Sequence, residues 1–169
     1  IWAHLLPAFG PDALPEDSAA QASLVATLAG LAIAPQAGQA NSPQAGQVSG
    51  RRYELAENPR QLRSFFFDFG PDQSLCTIEG PGGKENLWAG QGEWRKGEAF
   101  FAASGCQPAA VSGGWTDPST YAFRVYFYET PFCAHYICHF DGDSLTVEAG
   151  VNVSFGPTEW PRLEGKAVS

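Results

Sequence analysis

The sequence predicts a mainly β protein: one N-terminal helix, then about eight antiparallel strands rolled into an up-and-down barrel. Three observations carry that reading. From residue 51 onward, short runs rich in β-branched and aromatic residues recur with turn residues between them. Gly70-Pro71-Asp72, Gly80-Pro81-Gly82-Gly83, Asp117-Pro118-Ser119 and Asp141-Gly142-Asp143 punctuate those runs at spacings that suit sequential hairpins. In 121–128, Phe123, Val125 and Phe127 share one face while Arg124, Tyr126 and Tyr128 share the other, so both faces are apolar or aromatic, unlike a flat sheet with one wet side. Strands joined in this way, with edges to hide, close most economically into a barrel, a two-sheet sandwich being the alternative.

The segment 1–34 has a different texture. Pro15, Glu16, Asp17 and Ser18 suit a helix start, and Leu24, Leu28 and Leu31 recur at helical spacing in an Ala-rich run, which predicts a helix over 18–32 that Pro35 stops. Gly, Gln, Ala, Ser and Pro fill 35–50, which reads as a linker or surface arm with nothing to pack a core. The organisation is thus a helical lead-in at 1–34, the arm at 35–50 and the barrel at 51–169. Its strands are expected over 52–56, 62–69, 74–79, 86–89, 109–116, 121–128, 132–140 and 144–153.

Charge and composition exclude some functions. Ten basic against 18 acidic residues give a net charge of -8, so a phosphate-neutralising surface is not supplied in bulk and nucleic acid is not an expected partner. The apolar stretch 24–34 is too short to span a bilayer and follows no basic segment, so no membrane partner or signal peptide is expected. A chain that starts at Ile1 and contains no Met reads as part of a larger protein.

Several motifs carry a resemblance. Trp115-Thr116-Asp117, Arg124-Val125-Tyr126-Phe127-Tyr128-Glu129-Thr130-Pro131-Phe132, Phe140-Asp141-Gly142-Asp143 and Asn152-Val153-Ser154-Phe155-Gly156 occur in that order. With Ser49-Gly50-Arg51-Arg52-Tyr53, Gly92-Glu93-Trp94-Arg95 and the opening Ile1-Trp2-Ala3-His4-Leu5-Leu6-Pro7-Ala8, the set resembles the C-terminal tail of bacterial β-lactamase-related serine hydrolases, relatives of class C β-lactamases, penicillin-binding proteins and esterases. The resemblance implies a lipocalin-like barrel attached covalently after a hydrolase domain, which it would stabilise, cap or dimerise. That chemistry needs a Ser with Lys three residues on. No Ser here has one, so the fragment is expected to be non-catalytic, with the nucleophile upstream of residue 1. A carrier of a small amphipathic acid, built on the same barrel, is the alternative function.

The remaining constellations read as structural. Cys76, Cys106, Cys133 and Cys138 lack paired zinc-site spacing, and strand alternation sends Cys133 and Cys138 to opposite faces. His135 and His139 attach about 13 Å apart on an extended strand, too far to share an ion. His4 reads as a packing or surface residue, and neither metal nor cofactor is expected. Cys133 with His135 is the one tempting nucleophile–base pair, without an accompanying Gly-rich elbow. Asp141-Gly142-Asp143 lacks the further oxygens of a calcium loop and reads as a hairpin turn, and Asn152-Val153-Ser154 is a glycosylation triplet inside an expected strand. The candidate ligand-binding set is Trp115, Arg124, Tyr126, Tyr128 and Glu129. If the Arg124 face points inward, these line an amphipathic cup; if outward, Arg124 is a solvated charge or a docking residue. Alternation leaves the face open.

Overall fold

A computed structural model describes residues 2–3, 15–100 and 105–168. Two compact units divide at residue 33, 1–33 and 34–169. In the first, helix α1 (Ser18–Ala29) begins where the Asp17 carboxylate accepts the Ala20 N–H at 2.9 Å and ends at Gly30. It is shorter than expected, with Leu31 beyond its end, and Leu24, Val25 and Leu28 are all exposed. No described helix is long and apolar enough to cross a membrane. His4 lies outside the described residues.

The second unit is the expected antiparallel barrel, with ten strands instead of about eight: β1 (Arg51–Leu55), β2 (Ser64–Phe69), β3 (Gln73–Gly80), β4 (Gly83–Gln91), β5 (Arg95–Phe100), β6 (Cys106–Asp117), β7 (Thr120–Tyr126), β8 (Cys133–Asp141), β9 (Ser144–Val151) and β10 (Leu163–Val168). Their order is β4-β3-β2-β1-β10-β9-β8-β7-β6-β5, and a short parallel pairing of Gly90 and Gln91 with Ser112 and Gly113 joins β4 to β6. Nine strands therefore form the closed ring. The tenth, β5, pairs along Cys106–Val111 of β6 and fills the seam where β4 and β6 diverge, making no backbone ladder with β4.

Strands β5 and β10 are those the sequence pattern omits. Arg95, Lys96 and Glu98 of β5, and Glu164 and Lys166 of β10, are exposed and polar, and each strand contains a glycine, so neither carries the β-branched and aromatic signal. Tertiary pairing supplies what propensity lacks.

The arm 35–50 is not a free linker. Gln39 forms a two-way bridge with Trp115, the Gln36 N–H donates to Ser112 Oγ at 3.1 Å, and Ser42 Oγ donates to the Pro118 carbonyl. The close approach requires Gly38 and Gly114, because a Cβ at Gly38 would stand 2.7 Å from the Gly114 backbone. A one-turn helix α2 (Ala45–Val48) then buries Ala45 and Val48 in the core. The arm meets the β6–β7 turn and, through Gly50 N–H to the Phe67 carbonyl, β2, so it covers that end of the barrel.

Inward side chains fill that covered end. Phe65, Phe67 and Phe69 from β2 stack in sequence at 6.0 and 5.8 Å between ring centres. Phe69 packs on Trp115 at 4.8 Å and on Tyr121 at 4.9 Å, and Phe67 meets Phe140 edge-on at 5.3 Å. Each such pair is worth about 0.5–1.5 kcal/mol beyond the area it buries. The ring column continues upward through Phe65 and Tyr136 at 6.4 Å to Tyr136 and Trp160 at 6.1 Å, reaching the loops of the opposite end.

Candidate ligand-binding cavity

Where the column ends, the barrel is no longer full. An inner cavity of about 90 Å³ is walled by Leu87, Ala99, Val125, Phe127 and Ala134, with Tyr136, Trp160, Phe100, Arg60 and Glu85 at its rim. A wider recess of about 300 Å³ lies outside it beside the β3–β4 turn, lined by Leu62, Ile78 and the glycines of that turn. Arg60, Glu85, Phe100 and Tyr136 line both, so the two spaces share one lip.

The β1–β2 loop brings Arg60 to that lip. Asn58 Nδ2 donates to the carbonyls of Ala56 at 2.9 Å and Leu62 at 2.8 Å, and its Oδ1 accepts the Leu62 N–H at 3.2 Å, so one carboxamide pins both ends of the turn. Gln61 takes a left-handed φ of 54° to complete it. The Arg60 guanidinium lies 3.5 Å above the Trp160 ring, a cation–π contact. Its Nη1 is buried and has no hydrogen-bond partner, and no described carboxylate lies within ion-pair distance of the group.

Glu85 and Tyr136 supply the other polar groups. Burial pushes the Glu85 carboxyl above its ordinary range, opposed by the Phe100 N–H, which donates to Oε1 at 2.5 Å, and by the Arg60 charge. That bond spans the seam between β4 and β5. Burial also holds the Tyr136 phenol well above its ordinary value, with the Arg60 charge and a side-chain hydrogen bond with Arg60 pulling the other way, so it is the Nη1 end of the guanidinium alone that lacks an acceptor. Phe123 stacks on Tyr136 at 4.6 Å and fixes the ring.

Of the candidate ligand-binding set Trp115, Arg124, Tyr126, Tyr128 and Glu129, Trp115 alone is inside. It is 2 % exposed, at the covered end, with an indole N–H that has no partner. Phe123, Val125 and Phe127 point inward, which turns Arg124, Tyr126 and Tyr128 outward. Tyr126 packs edge-on against Trp94 at 5.0 Å, Tyr128 lies under Lys96 at 5.2 Å, and Glu129 is exposed. The cup those residues would have formed is therefore not made: a cation placed inside this aromatic column would lose its hydration without a counter-charge. Arg60, Glu85, Tyr136 and Trp160 stand at the cavity instead. Tyr136 was open to detection, since it shares parity with Ala134, Cys138 and Phe140 on β8.

The other candidates have local partners. His139 Nδ1 bonds Thr120 Oγ1 at 2.9 Å and His135 Nε2 faces Glu159 at 3.4 Å, both on the outer face. All four cysteines are free thiols, and burial raises Cys133, which opposes the thiolate a nucleophile needs. Asp143 pairs with Arg51 at 2.7 Å beside the tight Gly142 turn, whose φ is 57°. The Asn152 carboxamide accepts the Cys133 N–H and donates to the Pro131 carbonyl, each at 2.8 Å.

No protein-family model matches the chain, and a search of curated proteins finds no match. Solved structures do. A fatty acid-binding protein from brain tissue of Drosophila melanogaster, determined without citrate inside, aligns with a TM-score of 0.52 at 10 % identity, covering 70 % of this chain and 98 % of that one. As-p18, an extracellular fatty acid binding protein, aligns with a TM-score of 0.50 at 16 % identity over 75 % of this chain and 99 % of that one. At such low identity the likeness is one of fold: this chain carries the closed β-barrel of that structural class.

Proposed function

We propose that the barrel binds a small amphipathic organic acid at its Arg60 end. The observation that carries this is the buried, unpartnered Nη1 of Arg60 at the lip of an apolar cavity. A buried donor without an acceptor costs about 1–3 kcal/mol, which a carboxylate returns as a charge-assisted bond. Tyr136 adds a phenol donor, and Leu87, Val125 and Phe127 receive the apolar part. A fold shared with proteins that bind fatty acids supports the reading.

The cavity also limits ligand size. Its inner 90 Å³ is well below the roughly 300–1,000 Å³ of pockets that enclose drug-sized molecules, so a long acyl chain would have to displace Phe65 or Tyr136 from the ring column. Aryl-alkanoic and medium-chain acids fit better. Titration calorimetry with 3-phenylpropanoate and octanoate is expected to give saturable binding that Arg60→Gln weakens by about 10- to 100-fold, the equivalent of one charge-assisted bond. Equal affinity in that variant overturns the assignment.

A second reading, an accessory domain of a serine hydrolase, draws on the exposed Leu24, Val25 and Leu28 of α1, which suit packing against another domain. Co-purification of 15–169 with a separately expressed hydrolase domain of that class, lost on Leu24→Glu with Leu28→Glu, would support it; no association would end it.

A further inference from the structure

The lip of the cavity carries two opposite charges that feel each other but form no ion pair. Arg60 is held by Trp160 on one side, and Glu85 is tied across the β4–β5 seam by the Phe100 N–H; no ion pair joins them. Both groups line the inner cavity and the outer recess alike. The Phe100 bond uses one acceptor position of the Glu85 carboxylate, which has about four.

Other titratable groups do not alter this balance near pH 7. Tyr136 on β8, Cys76 on β3 and Cys106 on β6 all feel the Glu85 charge; burial raises the first two, and partial desolvation with the Glu98 and Glu85 charges raises the exposed Cys106, so they stay neutral. Among the described residues that line the lip, Arg60 and Glu85 set its charge. A simple carboxylate drawn to Arg60 therefore meets the repulsion of Glu85, whereas a ligand with an ammonium beside its carboxylate answers both.

We propose, building on the acid-binding reading above, that Glu85 makes this site selective for small apolar zwitterions: a carboxylate on Arg60, an ammonium on Glu85 and an apolar side chain in the cavity walled by Leu87, Val125 and Phe127. The ligand class is that of the apolar α-amino acids. Like-charge rejection of plain acids is the source of selectivity.

Calorimetry on the full chain with phenylalanine and 3-phenylpropanoate, which differ in the ammonium group, tests this. Phenylalanine is expected to bind at least 10-fold more tightly to the unaltered protein, Glu85→Gln to bring the ratio to parity or invert it, and Glu85→Asp to retain the preference. Repeating the titrations in buffers of different ionisation enthalpy adds a readout that a merely structural role of Glu85 would not move. 3-Phenylpropanoate is expected to bind with proton uptake in the range where Glu85 titrates, above its ordinary 4.5, phenylalanine without, and Glu85→Gln to remove the uptake. If 3-phenylpropanoate binds as tightly as phenylalanine, and Glu85→Gln leaves the ratio unchanged, the zwitterion assignment is overturned. An accompanying loss of affinity in Arg60→Gln would leave the acid site standing. Binding of neither compound overturns both.

Discussion

The inner cavity can be tested by filling it. Ala99 is 1 % exposed on β5 and borders the empty space, so Ala99→Val places two more carbons there without touching the lip charges. At about 0.8 kcal/mol per buried CH₂ the upper limit of the gain is about 1.6 kcal/mol. Small shifts of Leu87 or Phe127 to admit the methyls take back part of it, which leaves a stabilisation of about 0.5–1.5 kcal/mol, the range of cavity-filling substitutions. In urea this is a higher midpoint with an unchanged slope, and in a thermal scan a rise of about 2–4 °C per kcal/mol. Valine also favours strands, so stability alone does not identify the space. Ligand affinity does, because the same two carbons occupy what the apolar part of a bound acid would use, and a loss of at least 10-fold is expected for 3-phenylpropanoate. A loss of stability above about 1 kcal/mol would mean the wall has no room, and unchanged affinity would mean the ligand's apolar part lies elsewhere; either result refutes the reasoning.

Other expectations concern the core, the lip and the thiols. Phe67→Ala removes a fully buried ring that contacts Phe65, Phe69, Tyr53 and Phe140, so a loss of about 3–5 kcal/mol in urea unfolding is expected. Glu85 is held above its ordinary value of 4.5, so the folded state binds its proton more tightly than the unfolded chain; stability falls as pH rises through that window. Glu85→Gln is thus expected to be the more stable protein at neutral pH, with an advantage that shrinks as pH falls through the raised Glu85 value and is gone below its ordinary value of 4.5; a constant difference from pH 4 to 8 would contradict the desolvation account. Cys76 and Cys138 are fully enclosed, whereas Cys106 is exposed, its thiol held up by partial desolvation and then by Glu98 beside it. Iodoacetamide is expected to label Cys106 first in the native protein, and faster in Glu98→Gln; early modification of Cys138 on mass mapping would refute the burial.

Much of the barrel was legible because its architecture is written in period-two alternation. Turn residues at the β2–β3, β3–β4, β6–β7 and β8–β9 connections mark true hairpins, and the eight expected strands correspond to eight of the ten. What escaped was held by context. Strand β5 has three charged residues and a glycine, yet it is bonded along β6 from Arg95 to Phe100. The arm 35–50, polar and Pro-rich, packs because two glycines let its backbone lie against β6 and because Ala45 and Val48 arrive where the aromatic column needs a cover. Neither fact is a property of the segment itself.

The site turned on which face of a strand is inside, and alternation supplies both options with equal force. Strand β7 resolves it through cost. Its Phe123, Val125 and Phe127 can fill the ring column, whereas inward Arg124 would leave an uncompensated charge among Phe65, Phe67 and Tyr136. The need to fill the barrel is therefore what puts the aromatic face inward and leaves no cup around Arg124. The cation that does reach the interior comes from a loop, where strand parity is silent. Arg60 and Trp160 are a hundred residues apart, and their contact follows from the up-and-down path, which returns the β1–β2 and β9–β10 connections to the same end. Loops at one end of such a barrel are therefore where a charge can approach an apolar interior while its own stem stays near water. A cation and an aromatic ring carried by two of those connections is the sequence feature that marks this candidate site.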